Sequence, residues 1–462
     1  MAGRAAFNSR IGFVMAAVGS AVGLGNLWRF PYLTSTNGGA TFLILYLVLL
    51  FLVGIPALMA ELSLGRRSGR NAADAFGEDG QRKGWSLAGY LAIGGAVLLL
   101  SYYSVIAGWS VRYMFDGLRA ITEVPAYFGD APGYFADISQ GTDAVIGHLV
   151  FFTMVIAIVW RGVSRGIEQA NLIMMPLLFA TVIGLVIYGN LQDGAAAGRE
   201  FYLEPDFGEI RASTVSNAAG QAFFSIGLGI GTMLTYSSYL GRENDLQRTG
   251  FTIAIADTGV AVLAGLMVFP LIFSLGLSEL VDQAGGSNVG GLFIAIPTAF
   301  ASIGDSLGSF LAASFFIMLT FAALSSAISL LEVPVSMVLD RKPHWGRPRA
   351  VLLLGLPIYT FGLLSALDLD FLTQADNLLS RVILILGGFL LSIYVGWIRP
   401  DLMDEMDVGL SGKSYLHILR PTIRYVLPVL LGALTVLGVL GYMVDIGMLD
   451  PADGSFLAEL TT

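Results

Sequence analysis

Blocks of apolar residues recur along nearly the whole chain, separated by short charged or Pro/Gly-rich breaks. A helix needs about 20 predominantly apolar residues to cross a bilayer. The pattern therefore predicts spans near 10–37, 40–65, 84–118, 144–162 and 168–190. A polar stretch, 191–211, follows, then spans near 213–240, 246–276, 306–340, 348–366, 370–398 and 420–447. The expectation is an all-α integral membrane protein of eleven transmembrane helices. No stretch is long enough for a separate soluble domain, which excludes a cytosolic enzyme carried on a membrane tail.

The breaks are not equivalent. Lys and Arg gather at Arg4 and Arg10; at Arg66, Arg67, Arg70, Arg82 and Lys83; and at Arg161 and Arg165. They continue at Arg242 and Arg248, at Arg341, Lys342, Arg347 and Arg349, and at Arg399, Lys413, Arg420 and Arg424. These are 19 of the 25 basic residues, and all fall on one side of the expected spans. Basic residues are retained in the cytoplasm, so the expected topology has a cytoplasmic N-terminus and, with an odd span number, an external C-terminus. The expected location is the plasma membrane, inner in a two-membrane cell, with the lipid bilayer as constant partner.

Composition agrees: 55% of 462 residues are apolar and 13% charged, with a mean hydropathy of +0.74, against roughly 25% charged in soluble domains. Without cysteine there is no disulfide, iron–sulfur cluster or thiolate metal site. His148, His344 and His417 lie far apart and leave no His-rich metal site. The net charge of −9 includes no basic tract for nucleic acid, and nothing implies an obligate protein partner. No nucleophile–base pair or phosphate loop points to an enzyme.

Two spans are poorly made helices. The first contains Gly19-Ser20-Ala21-Val22-Gly23-Leu24-Gly25-Asn26; the sixth contains Gly220-Gln221 and then Gly227-Leu228-Gly229-Ile230-Gly231. Each interior glycine costs about 1 kcal/mol against alanine, so such clusters predict breaks. Close helix packing through small residues is the other reading. Position favours breaks, since each interruption opens a five-span half: 1–190 and 213–398, joined by an extracellular connection, 191–212. The remainder, 399–462, holds a cytoplasmic connection, span 11 and an extracellular tail. This is the arrangement of inverted-repeat transporters with a midplane site.

The residues Arg10-Ile11-Gly12, Gly23 to Pro31 and Asn37-Gly38-Gly39 resemble the first span of the neurotransmitter:sodium symporter family. The likeness continues through Gly54-Ile55-Pro56, Glu61, Gly65-Arg66, Tyr102-Tyr103, Gly166-Ile167-Glu168, Gln221 to Gly231 and Ser325-Ser326. It covers roughly 4–400 and is similar to the bacterial amino-acid transporter branch. It implies a LeuT-like five-plus-five fold with helices 1 and 6 broken, one peripheral helix, and sodium-coupled uptake by alternating access.

The resemblance also implies ligands. One sodium site would take Ala21, Asn26, Ser225 and Asp257; the second would take the carbonyls of Gly19, Val22 and Ala322 with the hydroxyls of Ser325 and Ser326. Sodium favours oxygen, and unwound backbone frees carbonyls that a helix would consume. Asp257 lies inside the apolar run 251–273, where a carboxylate is expensive. Chloride-dependent relatives carry a hydroxyl one turn later, where this chain has Ala261. A carboxylate at 257 would replace chloride, so no chloride is expected.

Monoamine carriers of the family hold Asp where this chain has Gly23. Glycine leaves room for a substrate carboxylate, received by the N–H groups of Leu24 and Gly25 and the Tyr103 hydroxyl. Leu99, Phe224, Ser225, Gly227, Gly229, Ile230, Ser326 and Leu330, with Ala21, complete the expected pocket. Gly227 stands where carriers of smaller amino acids often have Ser, so a roomy apolar site for a large aliphatic or aromatic L-amino acid is expected. Gates are expected from Arg29 with Asp370 outside, Asp368 and Asp376 being nearby alternatives, and from Arg4 with Asp340 beside Ser238 and Tyr239 inside. Glu61 would support exposed amides of the broken spans. An ion channel and a non-transporting substrate sensor of the same fold are the alternative readings.

Overall fold

The computed structural model describes residues 7–77, 83–119, 124–277, 291–412 and 414–449. The first segment is two helices, α1 (Arg10–Ala21) and α2 (Gly25–Thr36), bent by 45° at the break between them. Ser9 caps α1 by accepting from the Gly12 N–H at 2.9 Å, and Val22 leaves the helix in an extended conformation. Then come α3 (Ala40–Ser68), α4 (Ser86–Arg119), α5 (Gly141–Trp160) and α6 (Val163–Asn190). The next segment is again divided, into α7 (Ala212–Ile226) and α8 (Thr232–Ser237). Long helices follow: α9 (Leu246–Ser274), α10 (Asp305–Arg341), α11 (Arg347–Leu367), α12 (Leu369–Ile398) and α13 (Leu416–Asp445).

Among the described residues, nine helices are long and apolar enough to cross a bilayer, or ten if α1 and α2 form one span. Ten of the eleven expected spans thus have a counterpart, and the count of eleven is not reached, because α7 and α8 in place of the expected sixth span are individually too short to count. The cause is backbone geometry. Gly227, Gly229 and Gly231 all have positive φ, at 69°, 80° and 74°, a region that costs an L-residue roughly 1–2 kcal/mol. Three such residues at alternate positions cannot continue a right-handed helix, and only glycine makes the detour inexpensive.

The long helices are also irregular. In α3, a wide π turn over Leu50–Gly54 immediately precedes Pro56, giving room to the ring that would otherwise clash with the preceding turn. In α12, a similar turn spans Leu378–Ile383. Of the nine long apolar helices α13 is the least buried, with 22% of an 18-residue apolar stretch buried against 78% for α4. Yet it does not merely lean on the bundle. A Cβ at Gly438 would lie 1.9 Å from the Arg381 carbonyl, and Asp445 pairs with Arg381 at 2.9 Å.

Several connections hold structure that the hydropathy pattern misses, among them helix Ala131–Ser139. The 191–211 stretch contains helix Ala195–Leu203, whose Tyr202 is buried. Helix Gly291–Ile303 is apolar but only 13 residues long, too short to span. Its Phe293 packs edge-on to Trp109 and stacks on Phe135.

Candidate functional site

The two interruptions face each other through buried polar side chains. Asn26 Nδ2 donates to Asp257 Oδ1 at 2.7 Å, to the Asp257 carbonyl at 3.0 Å and to Ser225 Oγ at 3.1 Å. Ser225 donates to Asp257 Oδ2 at 2.6 Å, and Tyr46 Oη lies 3.4 Å from Ser225 Oγ. Asn26 and Asp257 are wholly buried. Asn26 Oδ1 turns back to the Gly23 N–H at 3.2 Å. Ser225 and Tyr46 thus bring hydroxyl oxygens to one buried carboxylate, while Asn26 meets that carboxylate through its amide nitrogen and keeps its oxygen on the Gly23 N–H; oxygen atoms gathered at a carboxylate are what a hard cation binds.

A second cluster joins α1 to α10. Ser325 Oγ is 2.9 Å from the Ala322 carbonyl and 3.5 Å from that of Val22. Ser326 Oγ approaches the carbonyls of Gly19, Ala322 and Val22 at 3.3, 3.4 and 3.5 Å. Five oxygens from two helices converge, every one of them drawn from residues expected in the sequence.

Between the clusters lies a narrow cavity of about 30 Å³. Ala21, Gly23, Gly25, Leu99, Tyr103, Phe224, Ser225, Gly227, Ile230, Ser326 and Leu330 all line it. Leu24 contributes its N–H, which donates to the Tyr103 hydroxyl at 3.2 Å. The expected room is absent in this conformation, because Phe224 and Tyr103 close over Gly23 and Gly25. A Cβ at Gly23 would lie 2.4 Å from Ser326 Oγ, and one at Gly25 would lie 2.8 Å from the Phe224 ring.

Gly229 does not line the cavity. Its N–H donates to Glu61 Oε2 at 3.2 Å, and a Cβ there would lie 2.4 Å from the Leu384 carbonyl. The glycine belongs to the packing of the unwound segment against α12. Glu61, buried on α3, also accepts from the Leu234 N–H at 3.2 Å, so one carboxylate occupies amides that the break leaves without helical partners.

Sequence reasoning missed three hydroxyls at the cavity: Ser20, Thr232 and Ser329. Ser20 donates to Ser329 at 2.7 Å, Ser329 to the Ser326 carbonyl at 2.7 Å, and Thr232 to the Gly227 carbonyl at 3.0 Å. The signal was present: Ser20 and Thr232 border the two breaks, and Ser329 follows Ser325 and Ser326 at helical spacing.

On one side of the cavity is a vestibule of about 340 Å³. Arg29 lies over the Phe224 ring at 4.8 Å and donates to Gln221 Oε1 at 3.0 Å, while Gln221 donates to the Gly25 carbonyl at 3.0 Å. The acid lining this vestibule with Arg29 is Asp376, held by the Tyr102 hydroxyl at 2.9 Å. Asp370 is instead exposed in the first turn of α12, its N–H on Asp368. About one and two-thirds turns separate the two acids along α12, enough to move a carboxylate from the vestibule to the surface.

At the other end, Asp340 accepts from the Asn71 N–H at 2.8 Å and its amide at 3.1 Å. Arg4 lies outside the described residues. Ser238 donates to the Thr235 carbonyl at 2.6 Å. Tyr239 donates to Glu332 at 2.7 Å, and Glu332 is paired with Arg347. Glu332 was overlooked although it sits in an apolar run, the very circumstance that singled out Asp257.

An all-helical membrane protein whose discontinuous helices enclose a small polar-ended cavity is, in class, a multi-pass transporter. Comparison with known proteins narrows the class. The family model described as the sodium:neurotransmitter symporter family matches residues 4–125 and 138–446. YhdH of Bacillus subtilis, an uncharacterized sodium-dependent transporter, is 34% identical over 454 residues, 94% of this chain and 98% of its own. An uncharacterized sodium-dependent transporter of Methanocaldococcus jannaschii is 32% identical over 448 residues, 91% of this chain and 89% of its own. The crystal structure of MhsT in complex with L-phenylalanine superposes with a TM-score of 0.85 at 36% identity, covering 94% of this chain and 99% of MhsT. The chain belongs to the sodium:neurotransmitter symporter family, with the LeuT-like fold, and its transport uses sodium.

Proposed function

We propose that this chain is a symporter that imports a large hydrophobic L-amino acid, aliphatic or aromatic, with sodium by alternating access and without chloride. The observation that carries the reading is the cavity itself: glycine at 23 beside the Leu24 N–H and the Tyr103 hydroxyl, walled by Leu99, Phe224, Ile230 and Leu330. A zwitterion placed there sets its carboxylate on freed amides and its side chain among apolar groups. L-Phenylalanine in the MhsT complex is of that substrate class.

In this reading α7 and α8 together make the sixth of eleven spans. The halves 1–190 and 213–398 are the inverted repeats, and α13 stands outside them. The N-terminus is cytoplasmic and the C-terminus external, in the plasma membrane. Two sodium positions are assigned, one at Asn26, Ser225 and Asp257 with the Ala21 carbonyl, the other at the Gly19, Val22 and Ala322 carbonyls with Ser325 and Ser326. Arg29 closes the outer side with Asp376, and Asp340 with Arg4 closes the inner side beside Ser238 and Tyr239.

The deciding experiment is a binding screen of purified protein against the twenty amino acids in sodium and in potassium. A hydrophobic amino acid should bind far more tightly in sodium. Equal affinities in both salts, or preference for a small polar amino acid, would overturn the reading.

A further inference from the structure

Asn171, on α6, carries an oxygen for which the described residues supply no hydrogen-bond partner. The residue is completely buried. Its orientation is fixed, because Nδ2 donates at 2.9 Å to the Ile167 carbonyl one turn back; the flipped amide would set two acceptors against each other. Oδ1 is thereby aimed at Gly19. A Cβ built on Gly19 would lie 2.0 Å from Asn171 Oδ1 and 3.1 Å from the Ser325 Cβ. Position 19 is glycine because the amide oxygen of α6 fills the space a side chain would need.

The location gives the oxygen a use. Gly19 and Ser325 are both members of the ring of oxygens between α1 and α10, where the Gly19 carbonyl lies 3.3 Å from Ser326 Oγ and the Val22 carbonyl 3.5 Å from Ser325 Oγ. Around that ring the backbone carbonyls present lone pairs, and the two serine hydroxyls direct their donors at those carbonyls. None of them is a donor for Asn171. An amide oxygen left unmet in a dry interior is destabilising, and a cation held in the adjoining ring of oxygens would satisfy it. Hard cations take neutral carbonyl and amide oxygens as readily as carboxylates.

We infer that Asn171 Oδ1 is a sodium ligand supplied by α6 to the ring of Gly19, Val22, Ala322, Ser325 and Ser326, so that three helices grip the ion instead of two. The inference rests on the proposed reading of that ring as a sodium position. It makes α6 part of the ion site, so that sodium occupancy fixes α6 against α1 and α10.

The test is thermal stability of the purified protein, free of amino acid, as sodium replaces choline at constant ionic strength. In Asn171→Ala the half-saturating sodium concentration should rise about tenfold, the size of one lost charge-assisted contact. The melting temperature in choline alone should not fall, because the variant removes an unmet oxygen; a purely structural role would lower it. Asn171→Asp keeps the oxygen and adds charge but loses the donor to the Ile167 carbonyl, so the melting temperature in choline should fall while the half-saturating sodium concentration also falls, because the bound ion offsets the buried charge. Ser325→Ala serves as the reference. If it raises the half-saturation and Asn171→Ala does not, Asn171 is no ligand and the ring reading stands. If neither variant changes it, the ring reading fails and this inference with it. Should Asn171→Ala not fold, Asn171→Asp decides: tighter sodium supports the assignment, and unchanged or weaker sodium overturns it.

Discussion

Tyr239 donates its hydroxyl to Glu332 Oε1 at 2.7 Å, tying the segment just beyond the second helix break to α10. Arg347 holds the other oxygen of Glu332 and donates through Nε to the Val159 carbonyl at 2.8 Å. One buried carboxylate therefore links α5, α10, α11 and the end of the α7–α8 segment. Breaking a buried pair by removing one charge typically costs about 3–5 kcal/mol, because the other charge stays behind. Arg347 is slightly exposed, with 16% of its side chain accessible, which places Glu332→Gln at the lower end. Tyr239→Phe removes one hydrogen bond to a charged group and should cost about 1.5–3 kcal/mol. Melting curves of the two variants check the order; equal loss, or none, would mean the network does not join these helices.

The Asp257 carboxylate sits within 2.7 Å of both Asn26 Nδ2 and Ser225 Oγ, and Ala261 lies one turn further along α9 in a fully buried position. With a zwitterionic substrate, fixed negative charge must offset incoming sodium. A unit charge about 4 Å from a cation is worth about 4 kcal/mol at an effective dielectric of 20. Asp257→Asn should therefore lower sodium-dependent uptake by about tenfold or more, while wild-type uptake stays the same when gluconate replaces chloride. Adding Ala261→Ser to Asp257→Asn should restore uptake only with chloride present. Chloride dependence of the unmodified protein would refute the assignment.

Much of this architecture is legible in the sequence because membrane physics is restrictive. Long apolar runs can only be spanning helices, and the three glycines at 227, 229 and 231 announce the detour their positive φ values require. What was illegible depended on rotation and on short elements. Asp370 and Asp376 both occupy the start of α12, and hydropathy cannot say that helix rotation turns the second one to Arg29's vestibule. Gly229 looks like its neighbour Gly227 in sequence, yet faces the Leu384 carbonyl rather than the cavity. Helix Gly291–Ile303 is apolar without being long enough to register as a span.

Glu61 accepts from the N–H groups of Gly229 and Leu234, both at 3.2 Å. Glutamine has nearly the same shape but puts a donor where one of these amides already donates. Glu61→Gln should therefore leave one amide of the unwound segment unmet, at a cost of about 1–3 kcal/mol, and weaken substrate and sodium binding together. Isothermal titration with substrate at fixed sodium, and with sodium at fixed substrate, checks this. A loss confined to one ligand would show that Glu61 does not support the segment as a whole.

Gly227 faces the cavity with φ at 69°, and a Cβ there would lie 3.2 Å from Thr232 Oγ1. Gly229, at φ 80°, would put its Cβ 2.4 Å from a backbone carbonyl. The two substitutions to alanine share the conformational strain of positive φ, roughly 1–2 kcal/mol, but only the second adds a clash that no side chain can relieve. Gly229→Ala should consequently be the more destabilising in thermal melts. At 227, a serine side chain intrudes into a cavity already only about 30 Å³ in this conformation. Gly227→Ser should therefore weaken bulky aromatic substrates about tenfold more than small aliphatic ones, a ratio in the range that one extra group produces in an apolar pocket. Competition binding across alanine, valine, leucine, phenylalanine and tryptophan separates the outcomes. Size-graded loss locates selection at position 227, whereas equal loss for all five means the substitution acts through backbone strain alone.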